Sequence, residues 1–217
     1  MFSEEVTTAS WSFFTWKSIH NIAAGDTEIV KALNENALSW RIIQHSLQST
    51  FLITLGRMFD SDARSLTAHS LLDLCIKNLD QFGEDSLRDR KLRDQNGNVP
   101  DWLESYLEGT YRPTENNFKD LKAEVTKFKD IYLGNYQPIR HKLLAHKDMV
   151  TFEKRHELFE RTDIGQIEDM LEFLFQIENI VWELLMNGRM TKVGDFDFSE
   201  AKRVDDDVGS LLEKLKS

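Results

Sequence analysis

Arg140, His141, Lys142, His146 and Lys147 fall close together in the stretch YQPIRHKLLAHKD, which runs from Tyr136 to Asp148. An imidazole titrates near neutral pH and can move a proton. A guanidinium stays charged and presents a planar fork to oxyanions. The two ammonium groups beside them add attraction for an anion. From Lys119 to Arg161 ten Lys or Arg stand against seven Asp or Glu, a local positive excess in a chain of formal net charge −10. These types in this order suit an anionic ligand. A plainer reading uses the same residues: cations near a helix end face solvent and complement the helix dipole. Spacing alone does not separate the two. Arg64 and His69 satisfy a similar interval and read as surface residues at the start of another helix.

On a regular helix Arg140 and His146 lie about 120° apart around the axis, so one face does not carry both. A site that uses both needs a bent helix, or copies from two chains meeting across an axis. Pro138 supplies a cause for a bend, because it lacks an N–H and disfavours helical geometry at Gln137. Leu143 and Leu144 anchor the stretch to a core.

With this context, IRHKLLAH resembles the signature of the HEPN superfamily, all-helical domains of many prokaryotic toxins and phage-defence proteins. That motif is an Arg, four to six residues with a polar one usually directly after the Arg, then a His. Arg140, His141 and His146 match these positions, although His141 stands where Asn or Asp is more frequent. The stretch GRMFDSDARSLTAHSLL, with Arg57 and Asp60, is similar to a landmark of the abortive-infection branch, and the helical order fits from Trp11 to Asn187. The resemblance implies a metal-independent endoribonuclease without a cofactor, active as a homodimer. It would act as a toxin or phage-defence effector on RNA, with an antitoxin protein as a further partner. In that reading His146 is the general acid or base, Arg140 stabilises the phosphate, and His141 orients the site or contacts phosphate. Lys142 and Lys147 attract the RNA. The alternative is a non-catalytic helical module binding nucleic acid, a nucleotide or a partner protein. A third reading, a scaffold without a ligand, leaves Arg140 and His146 exposed, far apart and tolerant of substitution.

The elements that must position these residues are read from periodicity. Ser10 to Ala24 is an aromatic-rich helix ending at Gly25. Asp26, a good N-cap, opens one long amphipathic helix to Phe59, with Val30, Leu33, Ala37, Trp40, Leu47, Phe51 and Met58 on its stripe and Ile43, Leu52, Leu55 and Phe59 widening it. Leu66 to Leu79, GEDSLRDRKLRD and WLESYLE give shorter helices. Thr114 to Gly134 is the next long helix, capped by Thr114. Asp163 to Asn187 is strongly apolar and stops at Gly188. No strand pattern of useful length appears. The expected fold is an all-α helical bundle of about five main helices, with long antiparallel helices. The bundle occupies residues 1–188, and 189–217 form a charged C-terminal tail with a short helix.

Composition limits the remaining classes. Of 217 residues 41% are hydrophobic, enough for a sizeable core, and the acidic balance excludes a whole-surface nucleic-acid coat. Cys75, in an apolar run, reads as a buried hydrophobe and fits a reducing compartment. The acidic N-terminus lacks the features of a secretory signal, and no run approaches the ~20 apolar residues of a membrane span. A soluble, cytoplasmic protein is expected, without membrane partners. His141, His146, Asp148 and His156 lack zinc-protease spacing, and no phosphate loop or nucleophile elbow is present. Arg41 and His45 read as a helix-surface pair. The tryptophans read as core, except Trp102, whose place after a loop also suits stacking on a base or partner. VDDDVG is a solvated run or a contact for a basic partner.

Overall fold

The computed structural model describes residues 1–60, 65–93, 98–140 and 162–216. Among them every regular element is helical, and the long helices form an antiparallel bundle. The first helix, α1 (Phe2–Gly25), starts well before Ser10. Phe2, Val6, Ala9 and Phe13 continue one buried face at helical spacing, and Glu4 and Glu5 complement the N-terminal end of the dipole. This helix packs against four others, so its aromatic run becomes the middle of the molecule. Phe13 meets Phe51 edge-on at 5.3 Å and Phe14 at 5.1 Å.

The expected helix from Asp26 to Phe59 is two helices, α2 (Thr27–Glu35) and α3 (Ala37–Met58). Asn36 leaves helical geometry at φ −121°, ψ 40°. The bend brings Ile29 of α2 and Trp40 and Leu47 of α3 around a second apolar cluster. The Asp26 cap is as expected: its carboxylate accepts from the N–H groups of Glu28 and Ile29 at 2.9 and 3.2 Å. The wide apolar stripe is buried only in the second half of α3, at Phe51, Leu52, Leu55 and Met58; Val30 and Ile43 are exposed.

Helix α4 (Ala68–Lys77) begins at a capping box in which Thr67 and Ser70 bond reciprocally. Its Cys75 is buried, and burial pushes the thiol up to about 11, as an inert core residue requires. A 3-10 turn (Leu79–Phe82) leads to α5 (Glu84–Arg93), which with α6 (Leu103–Glu108) buries the small cluster Leu87, Leu103 and Leu107. Helix α7 (Glu115–Ile131) packs on α4 and follows Thr114, whose N–H donates to Asn117 Oδ1 at 2.8 Å. After a short turn, α8 (Gln137–Ile139), helix α9 (Ile164–Asn187) is capped by Asp163 and ended by Gly188 at φ 57°, a left-handed position suited to glycine.

Beyond Gly188 the chain returns to the bundle. Gln176 of α9, almost fully buried, donates to the Phe196 carbonyl at 2.7 Å and accepts from the N–H groups of Gly194 and Phe196. Helix α10 (Glu200–Glu213) then lies against α1, burying Val208 and Leu212 beside Ile19 and Ile29. Two tryptophans do not serve the core as expected. Trp11 and Trp182 are about half exposed, each turned well away from the centre of its helix's buried face, whereas Trp102, after its loop, is exposed at 48%. No helix among the described residues is long and apolar enough to cross a membrane.

Candidate functional site

The chain does not break before Arg140. From Tyr132 to Tyr136 it widens into a π-helical turn, and a short helical turn, α8 (Gln137–Ile139), carries it to Arg140. Gln137, expected to leave helical geometry, is helical at φ −58°, ψ −40°, and its N–H reaches back five residues to the Tyr132 carbonyl. In a regular α-helix Pro138 would leave the Gly134 carbonyl without a donor and press against it. The extra residue in the π turn relieves that clash, so the proline is absorbed instead of ending the helix. The expected bend is thus a change of helical pitch, which rotates Arg140 relative to the stripe of α7.

Two fully buried tyrosines fix this turn. Tyr132 Oη donates to the Leu52 carbonyl of α3 at 3.1 Å. Tyr136 Oη donates to the Asp163 carbonyl at 2.7 Å and accepts from the Asp163 N–H at 3.1 Å, at the start of α9. Their rings stack at 6.2 Å, and Phe59 also stacks on Tyr132 at 5.9 Å. The turn before Arg140 is therefore pinned to two different helices.

Arg140 is half-buried and its side chain lies against Gly56 of α3. An ideal Cβ on Gly56 would stand 2.8 Å from Arg140 Cδ and 2.5 Å from Tyr132 Oη, and closer still to Arg140 Nη1. The neighbouring groups belong to the C-terminal end of α3. Arg57 pairs with Glu5 of α1 at 2.7 Å and donates to Thr54 Oγ1 at 3.2 Å. Lys129 of α7 donates to the Asp60 carbonyl at 3.4 Å. Cations thus gather where the helix dipole is negative, which gives part of their placement a purely structural reason. Burial, with the Asp60 carboxylate second among the raising influences, pushes the Tyr132 phenol up to about 12 against the opposing pull of Arg140. Gly56 and Asp60 at the end of α3 and Arg140, some eighty positions later in the sequence, therefore meet around Tyr132.

His69, expected at the surface, is half-buried between α4 and α7. Thr126 Oγ1 donates its proton to the Lys122 carbonyl at 3.0 Å, so His69 Nε2, at 3.1 Å, donates to that oxygen. Nδ1 is left buried, with no hydrogen-bond partner among the described residues. Burial first, then the charges of Lys129 and Lys122, hold this imidazole below its ordinary value, against a weaker opposing effect of Asp73.

His141, Lys142, His146 and Lys147 lie outside the described residues, as do Arg64, Leu143, Leu144, Asp148 and His156. Arg41 and His45 are exposed on α3, as read from the sequence. Gly56, Tyr132, Tyr136 and Lys129 were not singled out as site residues. Glycine inside an apolar helical pattern was the available signal for Gly56, and two tyrosines four apart just before a proline were the signal for the pinned turn.

The described helices form an all-α bundle in which Arg140 follows a long helix, as expected of an all-helical domain. A family model described as AbiU2, within the HEPN superfamily, matches residues 2–208, and the chain belongs to this family. No curated protein and no solved structure matches it.

Proposed function

We propose that the protein is a metal-independent endoribonuclease of HEPN type that acts as an abortive-infection effector in a homodimer. Family membership over nearly the whole chain carries the reading. The half-buried Arg140, seated on Gly56 at the end of α3, where Arg57 pairs with Glu5 and Lys129 reaches the Asp60 carbonyl, supports it. In this mechanism the 2′-OH of a ribose attacks the adjacent phosphorus. A 2′-O–P bond forms and the P–O5′ bond breaks, leaving a cyclic phosphate and a 5′-hydroxyl. His146 takes the proton from the 2′-OH or gives one to the departing 5′ oxygen. Arg140 holds the phosphate oxygens as charge grows on them. His141 orients the site or contacts phosphate, and Lys142 and Lys147 attract the RNA backbone. Incubation with a mixed RNA pool in excess EDTA tests the reading, with Arg140→Ala and His146→Ala as controls. Wild-type cleavage giving cyclic-phosphate ends is expected, with both variants slowed by about 10²-fold or more. Cleavage lost in EDTA points to a metal mechanism instead.

A second reading rests on the contact with Gly56. A guanidinium seated on a helix and next to a buried tyrosine is also an anchor. In a non-catalytic module Arg140 would tie α8 to α3, and the surface around Arg57 and Lys129 would bind an anionic partner. That reading expects salt-dependent RNA binding without product, and a loss of thermal stability in Arg140→Ala.

A further inference from the structure

Glycine at position 56 is unexpected on local grounds. It lies in the last turns of a 22-residue helix, where glycine is about 1 kcal/mol less favourable than alanine. Its backbone does not call for glycine either, because the positive-φ glycines among the described residues are Gly188 and Gly194. What position 56 lacks is room. The volume a Cβ would occupy is filled by the Arg140 side chain and the Tyr132 hydroxyl.

Of these two neighbours Tyr132 is the more firmly held. Tyr132 is fully buried, bonded through its hydroxyl to the Leu52 carbonyl, and stacked with both Phe59 and Tyr136. Arg140 is a long chain of rotatable bonds ending at a half-buried head. We propose that Gly56 is the positioning residue for Arg140: the bare backbone of α3 is the seat for the guanidinium, and the wall formed by Tyr132 fixes its other side. Glycine there sets where the charge is presented to an RNA phosphate. This last step rests on the ribonuclease reading, whereas the seating itself does not.

The experiment combines a spectroscopic signature with a mutant cycle. The Arg140 Nε–H resonance of the full-length protein is assigned by its loss in Arg140→Ala, then followed in Gly56→Ala. The expected result is a shifted, motionally averaged resonance, with RNA cleavage lowered by about 10²-fold, close to that of Arg140→Ala. In the Arg140→Ala background, Gly56→Ala should have no further effect on cleavage, because the glycine acts through the arginine. Should Gly56→Ala fold poorly, the same substitution is placed in Tyr132→Phe. Removing the hydroxyl leaves Arg140 as the remaining crowded neighbour, and the resonance is compared with that of Tyr132→Phe alone.

An unmoved Arg140 resonance overturns the proposal. So does a Gly56→Ala effect that multiplies undiminished with Arg140→Ala. A moved resonance in a protein whose Arg140→Ala variant cleaves RNA at the wild-type rate gives a different result: the seat stands and the ribonuclease reading falls.

Discussion

His69 shows how one residue can link packing to pH. Its Nε2–H is committed to Thr126 and its buried Nδ1 lone pair has no partner among the described residues, so the neutral ring fits the site. Protonation would bury an unpaired N–H next to the charges of Lys129 and Lys122. The folded-state value is held below 6.5, so the unfolded chain binds the proton more readily in the interval beneath that value. The stabilisation is present above pH 6.5 and is lost as the pH falls toward the lowered folded value. Thermal melts of wild type and His69→Asn between pH 7.5 and 5 should show the wild type losing more stability on acidification. Parallel slopes for the two proteins would show that the imidazole stays neutral, or is equally easy to protonate, in both states. At Arg140 the same scale gives a second expectation. If the residue serves phosphate, Arg140→Ala slows cleavage by about 10²-fold and leaves the melting temperature nearly unchanged. An anchoring role reverses that pattern.

At the scale of elements, two devices organise the molecule, and both depend on polar groups inside it. The π turn carries Arg140 past a proline, and Gln176 binds the 194–196 backbone that leads to α10. Gln176→Leu keeps the volume but leaves the Phe196 carbonyl and two N–H groups without their partner. A loss of about 2–4 kcal/mol is expected, at ~1–3 kcal/mol per group with partial relief by water. Hydrogen exchange should accelerate first at Gly194 and Phe196 and in α10. Unchanged protection there would mean that the apolar contacts of Val208 and Leu212 hold the segment alone. Helix caps and stripes were legible from residues: Asp26, Thr114 and Gly188 bound their helices as their types suggest, and Phe51 and Met58 are core. The split at Asn36 was not legible, because an apolar stripe passes through it and the turn depends on distant partners, Val208 and Leu212. Nor was the π turn. Proline usually reads as a stop, and its accommodation depends on Tyr132 and Tyr136 finding acceptors on α3 and at the start of α9.

Across the whole molecule, an acidic chain carries cations at one corner, where the end of α3, the start of α4 and the far end of α7 come together. Arg57, Lys129 and Arg140 were legible as charges in the sequence, but their meeting depends on the packing of α3 against the π turn. The six-residue offset between Arg140 and His146 leads to the proposal that two copies complete the site. Under that proposal, dilution below the dimer dissociation constant removes cleavage together with dimer, as read by sedimentation at matched concentrations. Cleavage that stays proportional to protein while the dimer disappears would place the whole site in one chain. The most direct measurement of the central claim is RNA cleavage by purified protein in excess EDTA, with the product ends identified for wild type, Arg140→Ala and His146→Ala. Metal-independent attack by the 2′-OH gives 2′,3′-cyclic phosphate ends from wild type, with a loss of about 10²-fold or more expected in each variant. Wild-type rates in His146→Ala, or no cleavage by wild type under conditions where it binds RNA, would contradict it.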